Sequence, residues 1–100
     1  MERNNIQHWF DFLDEIQNDP KLNVWHIALL IAIARLGCKQ NEKWVIRVSR
    51  KKLMAFSHIT TITSYHKYFK QLQQFGYIRY TPSYHPDYRS TVEVLSKQKS

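Results

Sequence analysis

The sequence contains few of the residues that build disulfides, flexible linkers or membrane spans. Cys38 is the only cysteine, so no internal disulfide can form, and a reducing cytoplasm suits such a chain. With only two glycines and three prolines, long flexible linkers are not expected. The longest unbroken apolar run, residues 27–34, is far shorter than the roughly 20 residues that cross a bilayer. Acidic residues near the N-terminus argue against a signal peptide, so we expect a cytoplasmic chain without a membrane partner.

Motifs of the common catalytic and cofactor sites are also missing. There is no Gly-rich phosphate loop and no Gly-x-Ser-x-Gly turn for a nucleophilic serine. The five histidines are scattered, without cysteine or carboxylate partners at metal-ligand spacing. His26, inside the apolar stretch, is expected to be a hydrogen-bonded core residue rather than a ligand. We therefore expect neither an enzyme nor a bound metal or cofactor.

Acidic residues are scarce in the second half of the chain. Residues 43–100 carry eleven Lys and Arg against two acids, a net charge of +9. Residues 1–42 carry four Lys and Arg against six acids, a net charge of −2. This asymmetry indicates that one half meets a polyanion and the other does not. A solvated basic surface without a partner is the alternative explanation of the charge alone.

A capped amphipathic helix is predicted after the middle of the chain. Thr61 is a candidate N-cap, because its hydroxyl can accept a hydrogen bond from a free backbone N–H one turn later. Gly76 is a candidate stop, because glycine readily adopts positive φ. Apolar residues recur at steps of three or four and predict the buried side: Ile62, Tyr65, Phe69, Leu72 and Phe75. The other side is polar and basic: Thr63, Ser64, His66, Lys67, Lys70, Gln71 and Gln74.

Two short strand patterns follow this helix. Residues 77–81 alternate strand-forming side chains and end at Pro82, and residues 91–95 form the second pattern. The loop 82–90 separates them. A capped helix, a glycine stop and a long-looped hairpin are arranged as in a recognition helix followed by a wing. This layout predicts a DNA-binding domain with its recognition helix at about 61–75 and its wing at about 82–90.

Two further helices are predicted in the N-terminal part. The first runs to about Asn18 and ends at Asp19-Pro20, because proline pushes the preceding residue out of helical geometry. The second begins at the N-cap Asn23 and ends near Leu36, with Gly37 as its stop. It is apolar nearly all round, which predicts either a central core helix or part of a dimer interface with the first helix. The stripe of the first helix consists of Ile6, Trp9, Phe10, Leu13 and Ile16.

A strand and a short helix complete the predicted order. Residues 43–48 alternate, with Trp44, Ile46 and Val48 on one side, and Ser49 then caps a helix over about 50–56. A polar turn, 57–60, leads to the capped helix described above. The order helix, helix, strand, helix, helix, strand, strand predicts an α+β, mostly helical, winged helix-turn-helix fold. We expect one domain over residues 1–100, with 96–100 as a frayed tail.

Several segments of the sequence together resemble a known family. They are Trp25-His26-x-Ala28-Leu29, Val48-Ser49-Arg50, Ser64-Tyr65-His66-Lys67, Leu72, Gly76-Tyr77-Ile78-x-Tyr80 and Pro82-Ser83-Tyr84-x-Pro86. In these segments the chain resembles small winged helix-turn-helix transcriptional regulators of bacterial mobile elements, over about residues 22–95. The resemblance implies a winged-helix fold and DNA binding, with the helix from Thr61 in the major groove, and no particular operator. Ser64 stands where threonine is usual, and Arg89 stands where glycine is expected in the wing turn.

The candidate DNA-binding residues on the recognition helix divide by position. Thr61, Thr63 and Ser64 lie in its first turn, where such helices contact bases. Lys67 lies one turn on and can reach guanine or a phosphate, whereas Lys70 and Gln71 are expected at the backbone. His66 is expected to contact DNA or cap the helix side, with metal binding as a remote alternative. A helix side that merely faces solvent is the other possibility.

The remaining candidates lie in the preceding helix and in the wing. Arg50, Lys51 and Lys52 open a helix, where cations oppose the macrodipole unless an anionic partner offsets the cost. The wing offers four groups for a minor groove or for phosphates: Tyr84, His85, Tyr88 and Arg89. Alternatively, Tyr84 and His85 fold back on the hairpin and stiffen it.

Three functions are compatible with these patterns. The first is a sequence-specific regulator that binds double-stranded DNA in the cytoplasm, on the nucleoid, as a possible homodimer through its first two helices. The second is a winged-helix module that binds another protein, because a fold alone does not fix a function. The third is an accessory DNA-binding factor in recombination or replication of a mobile element.

Overall fold

A computed structural model of the chain describes residues 3–85 and 89–95, with side chains from residue 7 onward. Tyr88, the predicted tail 96–100 and the side chain of Ile6 lie outside the described residues. The elements are α1 Arg3–Gln17, α2 Val24–Gln40, β1 Val45–Arg47, α3 Arg50–Ser57, α4 Ile62–Gln74, β2 Ile78–Thr81 and β3 Thr91–Val94. The predicted order of elements is therefore confirmed.

The described part of the chain is an α+β fold, mostly helical, with four helices and a small antiparallel sheet. The strand order is β1-β3-β2, so β3 is central. Val92 of β3 pairs with Ile46 on one side and with Tyr80 on the other. Val92 and Ile46 are fully buried and join the sheet to the helical core.

The helix α2 lies at the centre of the helical layer. It contacts α1, α3, α4 and β1, which confirms the central position that its apolar composition predicted. Its N-cap is Asn23 as predicted, with the side chain accepting from the backbone N–H groups of Trp25 and His26. Burial all round is wrong, however, because Trp25 and Ile31 are exposed. Even a central helix can turn part of its circumference to solvent in a domain of this size.

The predicted end of α2 at Gly37 is also wrong. The helix continues to Gln40 and ends at Asn41, which adopts the left-handed conformation with φ 57°. Gly37 is buried inside the helix, and a Cβ built there would lie 2.5 Å from Cζ2 of Trp9. Gly37 is therefore required for the close approach of α1 rather than for a turn.

The buried side of α1 differs from the predicted stripe. Trp9, Phe12 and Ile16 are buried, whereas Phe10 is 57% exposed. Phe10 follows Trp9 directly, so it is rotated by about 100° around the helix and cannot share its side. The Trp9 indole N–H donates to the carbonyl of Glu42, which fixes α1 against the segment after α2.

The first strand is shorter than predicted and buries less. Ile46 and Val48 are buried as expected, but Trp44 precedes the strand and is half exposed. The Trp44 ring packs edge-on against His8 of α1, with ring centroids 4.8 Å apart. Trp44 therefore covers the end of α1 rather than entering the core.

Candidate nucleic-acid interface

The helix α4 divides into a buried and an exposed side close to the predicted division. Tyr65, Phe69 and Leu72 are buried, while Ile62 at the first turn is half exposed. The predicted N-cap is confirmed, because Oγ1 of Thr61 accepts from the backbone N–H of Ser64 at 3.2 Å. The exposed side comprises Thr61, Thr63, His66, Lys67 and Lys70.

The helix α4 ends at the position that the sequence predicted. Gly76 follows the C-cap residue Phe75 and has φ +87°, a left-handed conformation that favours glycine. The chain then turns directly into β2. The glycine thus places the strand hairpin immediately after the exposed helix.

Two of the predicted interface residues on α4 are less accessible than the others. Ser64 is half-buried and lines a cleft at the start of the helix. Gln71 is half-buried, and its side-chain oxygen lies 2.7 Å from Nε2 of His26. His26 is buried, so its predicted role as a hydrogen-bonded core residue is confirmed. The bond to His26 ties Gln71 to α2 rather than to solvent.

The cleft beside the first turn of α4 contains an aromatic pair that was not predicted from the sequence. Trp25 of α2 stacks on Tyr68 with ring centroids 6.5 Å apart and an interplanar angle of 26°. The ammonium group of Lys67 lies 5.3 Å from the Tyr68 ring, within the range of a cation–π contact. The cleft has a volume of about 170 Å³ and is lined by Trp25, His58, Ile59, Thr60, Thr61, Ser64 and Tyr68. No acid is among these residues.

The start of α3 presents the predicted cluster of cations. Oγ of Ser49 accepts from the backbone N–H of Lys52 at 3.2 Å, so the predicted cap is confirmed. Arg50, Lys51 and Lys52 are exposed. Burial, with a smaller contribution from Tyr80, raises the pKa of Tyr65 to about 12, while the charge of Arg50 acts in the opposite direction.

The loop 82–90 joins β2 to β3 and is closed at its base. The backbone N–H of Ser83 donates to Oγ of Ser90 at 3.0 Å, and the carbonyl of Ser90 accepts from Val48 at 2.9 Å. Tyr84 is 92% exposed, so it does not fold back on the hairpin. His85 and Arg89 are exposed as well, and Tyr88 lies outside the described residues.

Among the described residues, no acid forms an ion pair with a cation of α3 or α4. Within residues 3–85 and 89–95, the ion pairs join Lys21 to Asp19 and Arg79 to Glu93. Neither pair includes a cation of α3 or α4. These exposed charges are therefore available to an external anion.

The described residues offer no sign of a metal site. No group of three or more His, Cys, Asp or Glu among them is close enough to hold an ion. Within the same residues, the helices are too short or too polar to cross a membrane.

Comparisons with known protein families, with curated proteins and with solved structures find no match for this chain.

Proposed function

We propose that this chain is a sequence-specific, double-stranded DNA-binding protein with a winged helix-turn-helix architecture, acting as a transcriptional regulator. In this proposal α4 enters the major groove, and the loop 82–90 rests on the adjacent groove or on the backbone. Pairing of two copies through α1 and α2 would present two such helices to one duplex. The DNA partner would place the protein in the cytoplasm, on the nucleoid.

The observation that carries the proposal is a set of exposed cations that have no acidic partner within residues 3–85 and 89–95. Arg50, Lys51 and Lys52 stand at the start of α3, where the positive end of the helix dipole disfavours them. Lys67 and Lys70 stand on the exposed side of α4. A row of phosphates would supply the negative charge that the described residues do not place beside these cations.

Base recognition is supported by the first turn of α4. The side chains of Thr61 and Thr63 are exposed there, and short hydroxyl groups can reach base edges without a large entropic cost. Lys67 lies one turn further on and can donate to guanine O6 and N7. Trp25 is 41% exposed beside this turn and adds an indole N–H that can reach a phosphate.

The order of elements around α4 supports the winged-helix architecture. Residues 58–61 connect α3 to α4, a length usual between the two helices of a helix-turn-helix. The hairpin of β2 and β3 follows directly, and Tyr84, His85 and Arg89 in its loop are exposed. The β1 strand pairs with β3 and completes a small sheet behind the helices.

The proposal is tested by selecting bound sites from random duplex DNA and measuring affinity by fluorescence anisotropy at several salt concentrations. We expect a preferred sequence and a logarithm of affinity that falls steeply with the logarithm of salt concentration. Lys51→Ala should weaken binding to all sequences and lower the slope by about 0.9. Lys39→Ala on α2, outside the proposed surface, is the matched control and should change neither. Absence of binding at low salt would contradict the proposal.

A protein-interaction module is the second candidate, and one observation favours it. Ile62 is 50% exposed at the first turn of α4, where a surface reserved for DNA would be more polar. Partners captured by the immobilised protein after nuclease treatment, and lost with Ile62→Asp, would support this function over DNA binding.

An accessory role in recombination or replication would use the same interface on a different target. The selected DNA sites distinguish the two roles. Sites that map upstream of coding regions indicate regulation, whereas sites at element ends or at replication origins indicate the accessory role.

A further inference from the structure

An apolar groove runs between α1 and α2 on the surface of the protein. Its volume is about 200 Å³, and it is lined by Trp9, Phe10, Leu13, Ile31, Ala34, Arg35 and Cys38. Phe10 is 57% exposed and Ile31 is 44% exposed, so two large apolar side chains border it. Leaving such side chains in water forfeits the stabilisation that their burial would provide.

The groove lies on a different side of α2 from the contact with α4. His26 holds α4 through Gln71, whereas Ile31 lies five residues further along the helix. At 3.6 residues per turn, Ile31 is rotated by about 140° from His26. A partner in the groove would therefore not take the place of α4.

The two margins of the groove carry opposite charges. On α1, the exposed Asp14 lies one turn after Phe10. On α2, the exposed Arg35 lies one turn after Ile31, with its guanidinium 4.2 Å from the centre of the Phe56 ring. An apolar strip with an acid on one margin and a cation on the other is complementary to itself after a two-fold rotation.

The net charge of residues 1–42 also favours a second copy of the chain as the partner. Residues 1–42 carry a net charge of −2, against +9 for residues 43–100. Two copies can therefore meet through α1 and α2 with little mutual repulsion, whereas contact through the basic half would bring two strongly positive surfaces together.

We propose that the groove between α1 and α2 binds a second copy of this chain, in a two-fold dimer that sets Asp14 of each copy against Arg35 of the other. Phe10 and Ile31 of each copy would pack across the two-fold axis and lose their exposure. The dimer forms without DNA. It extends the proposed function by bringing two α4 helices into one assembly, but its test does not depend on DNA binding.

The mass of the full chain, measured by sedimentation equilibrium without DNA from about 1 to about 100 µM, should show a monomer–dimer equilibrium. Ile31→Glu should raise the dissociation constant at least about tenfold, because it buries a charge in an apolar contact. Ile62→Glu on α4 is the matched control, since it replaces an isoleucine of similar exposure outside the groove and should leave the dimer unchanged. Circular dichroism spectra and melting curves of both variants would check that they are folded.

A charge exchange tests the two-fold arrangement itself. Asp14→Arg and Arg35→Asp should each weaken the dimer, and the double variant should restore most of the wild-type affinity. Cys38, which lines the groove, should react more slowly with a thiol reagent in the wild-type dimer than in Ile31→Glu. A chain that remains monomeric at every concentration would overturn the proposal. A dimer that Ile31→Glu leaves intact would place the interface elsewhere and overturn it equally.

Discussion

His26 and Gln71 join the central helix to the exposed helix by a 2.7 Å hydrogen bond between residues 45 positions apart. Nδ1 of His26 accepts from the backbone N–H of Asn23 at 3.0 Å. The ring proton must therefore be on Nε2, which donates to the side-chain oxygen of Gln71. One imidazole thus caps the start of α2 and fixes the orientation of α4.

Gln71→Ala should destabilise the protein by about 1–3 kcal/mol, because it leaves the buried Nε2–H of His26 without an acceptor. Urea unfolding measures the change. Gln74→Ala is the control, since Gln74 is an exposed residue of the same type on the same helix and should change stability by less than about 0.5 kcal/mol. Equal effects of the two substitutions would show that the bond to His26 contributes nothing.

Gly37→Ala should also destabilise the protein, although alanine in a helix interior is more stable than glycine by about 1 kcal/mol. The added Cβ would lie 2.5 Å from Cζ2 of Trp9, which is buried and cannot move without displacing α1. We expect a net loss of about 1–3 kcal/mol, as for other overpacked cores. Thermal unfolding checks this, with Lys39→Ala as a neighbouring exposed control. An increased melting temperature for Gly37→Ala would contradict the close approach.

The stability of the protein should depend on pH through Asp19. The hydroxyl of Tyr77 donates to Oδ2 of Asp19 at 2.5 Å, and the backbone N–H of Lys21 donates to Oδ1 at 2.9 Å. These bonds lower the pKa of Asp19 to about 2, from 3.8, against the opposing effect of burial. The folded state thus holds the proton less tightly than the unfolded state. The resulting stabilisation is fully present above the unfolded pKa and is lost as pH falls through the folded pKa.

Urea unfolding between about pH 2 and pH 7 should show a free energy of unfolding that falls as the pH drops through the acid part of this range. Asp19→Asn and Tyr77→Phe should be less stable at neutral pH and should lose part of the pH dependence. Glu42→Gln, at an exposed position after α2, should retain most of the wild-type profile. A profile that is unchanged in Asp19→Asn would assign the acid sensitivity to other groups.

The features that local chemistry decides could be predicted from the sequence. Asn23, Ser49 and Thr61 are caps because each has a short polar side chain before an apolar-periodic segment, and the cap depends only on the next turn. Gly76 is predictable for the same reason, since positive φ is a local requirement. The order of elements follows from these boundaries.

The features that depend on a distant partner could not be predicted. A glycine serves either a turn or a close approach, and only the position of Trp9 shows that Gly37 serves the second. A helix that is apolar all round does not indicate which side is exposed, so Trp25 could not be assigned to the surface. The exposed cations of the candidate interface followed from composition, whereas the aromatic pair beside them required the packing of α2 against α4.

Trp25→Ala and Lys67→Ala should weaken DNA binding in distinguishable ways. Lys67 is proposed to contact guanine O6 and N7, so its removal should reduce the preference for the selected sequence over unrelated duplexes. The Trp25 indole is uncharged, so its removal should reduce affinity several-fold at every salt concentration and leave the slope of affinity against salt unchanged. Trp44→Ala is the matched control, because Trp44 is also half exposed but lies where β1 begins, next to Val94 of β3 and away from the loop 82–90. Trp44→Ala should bind DNA as the wild type does. If Trp25→Ala and Trp44→Ala lose the same amount of DNA affinity, the loss reflects general destabilisation rather than a contact of Trp25 with DNA.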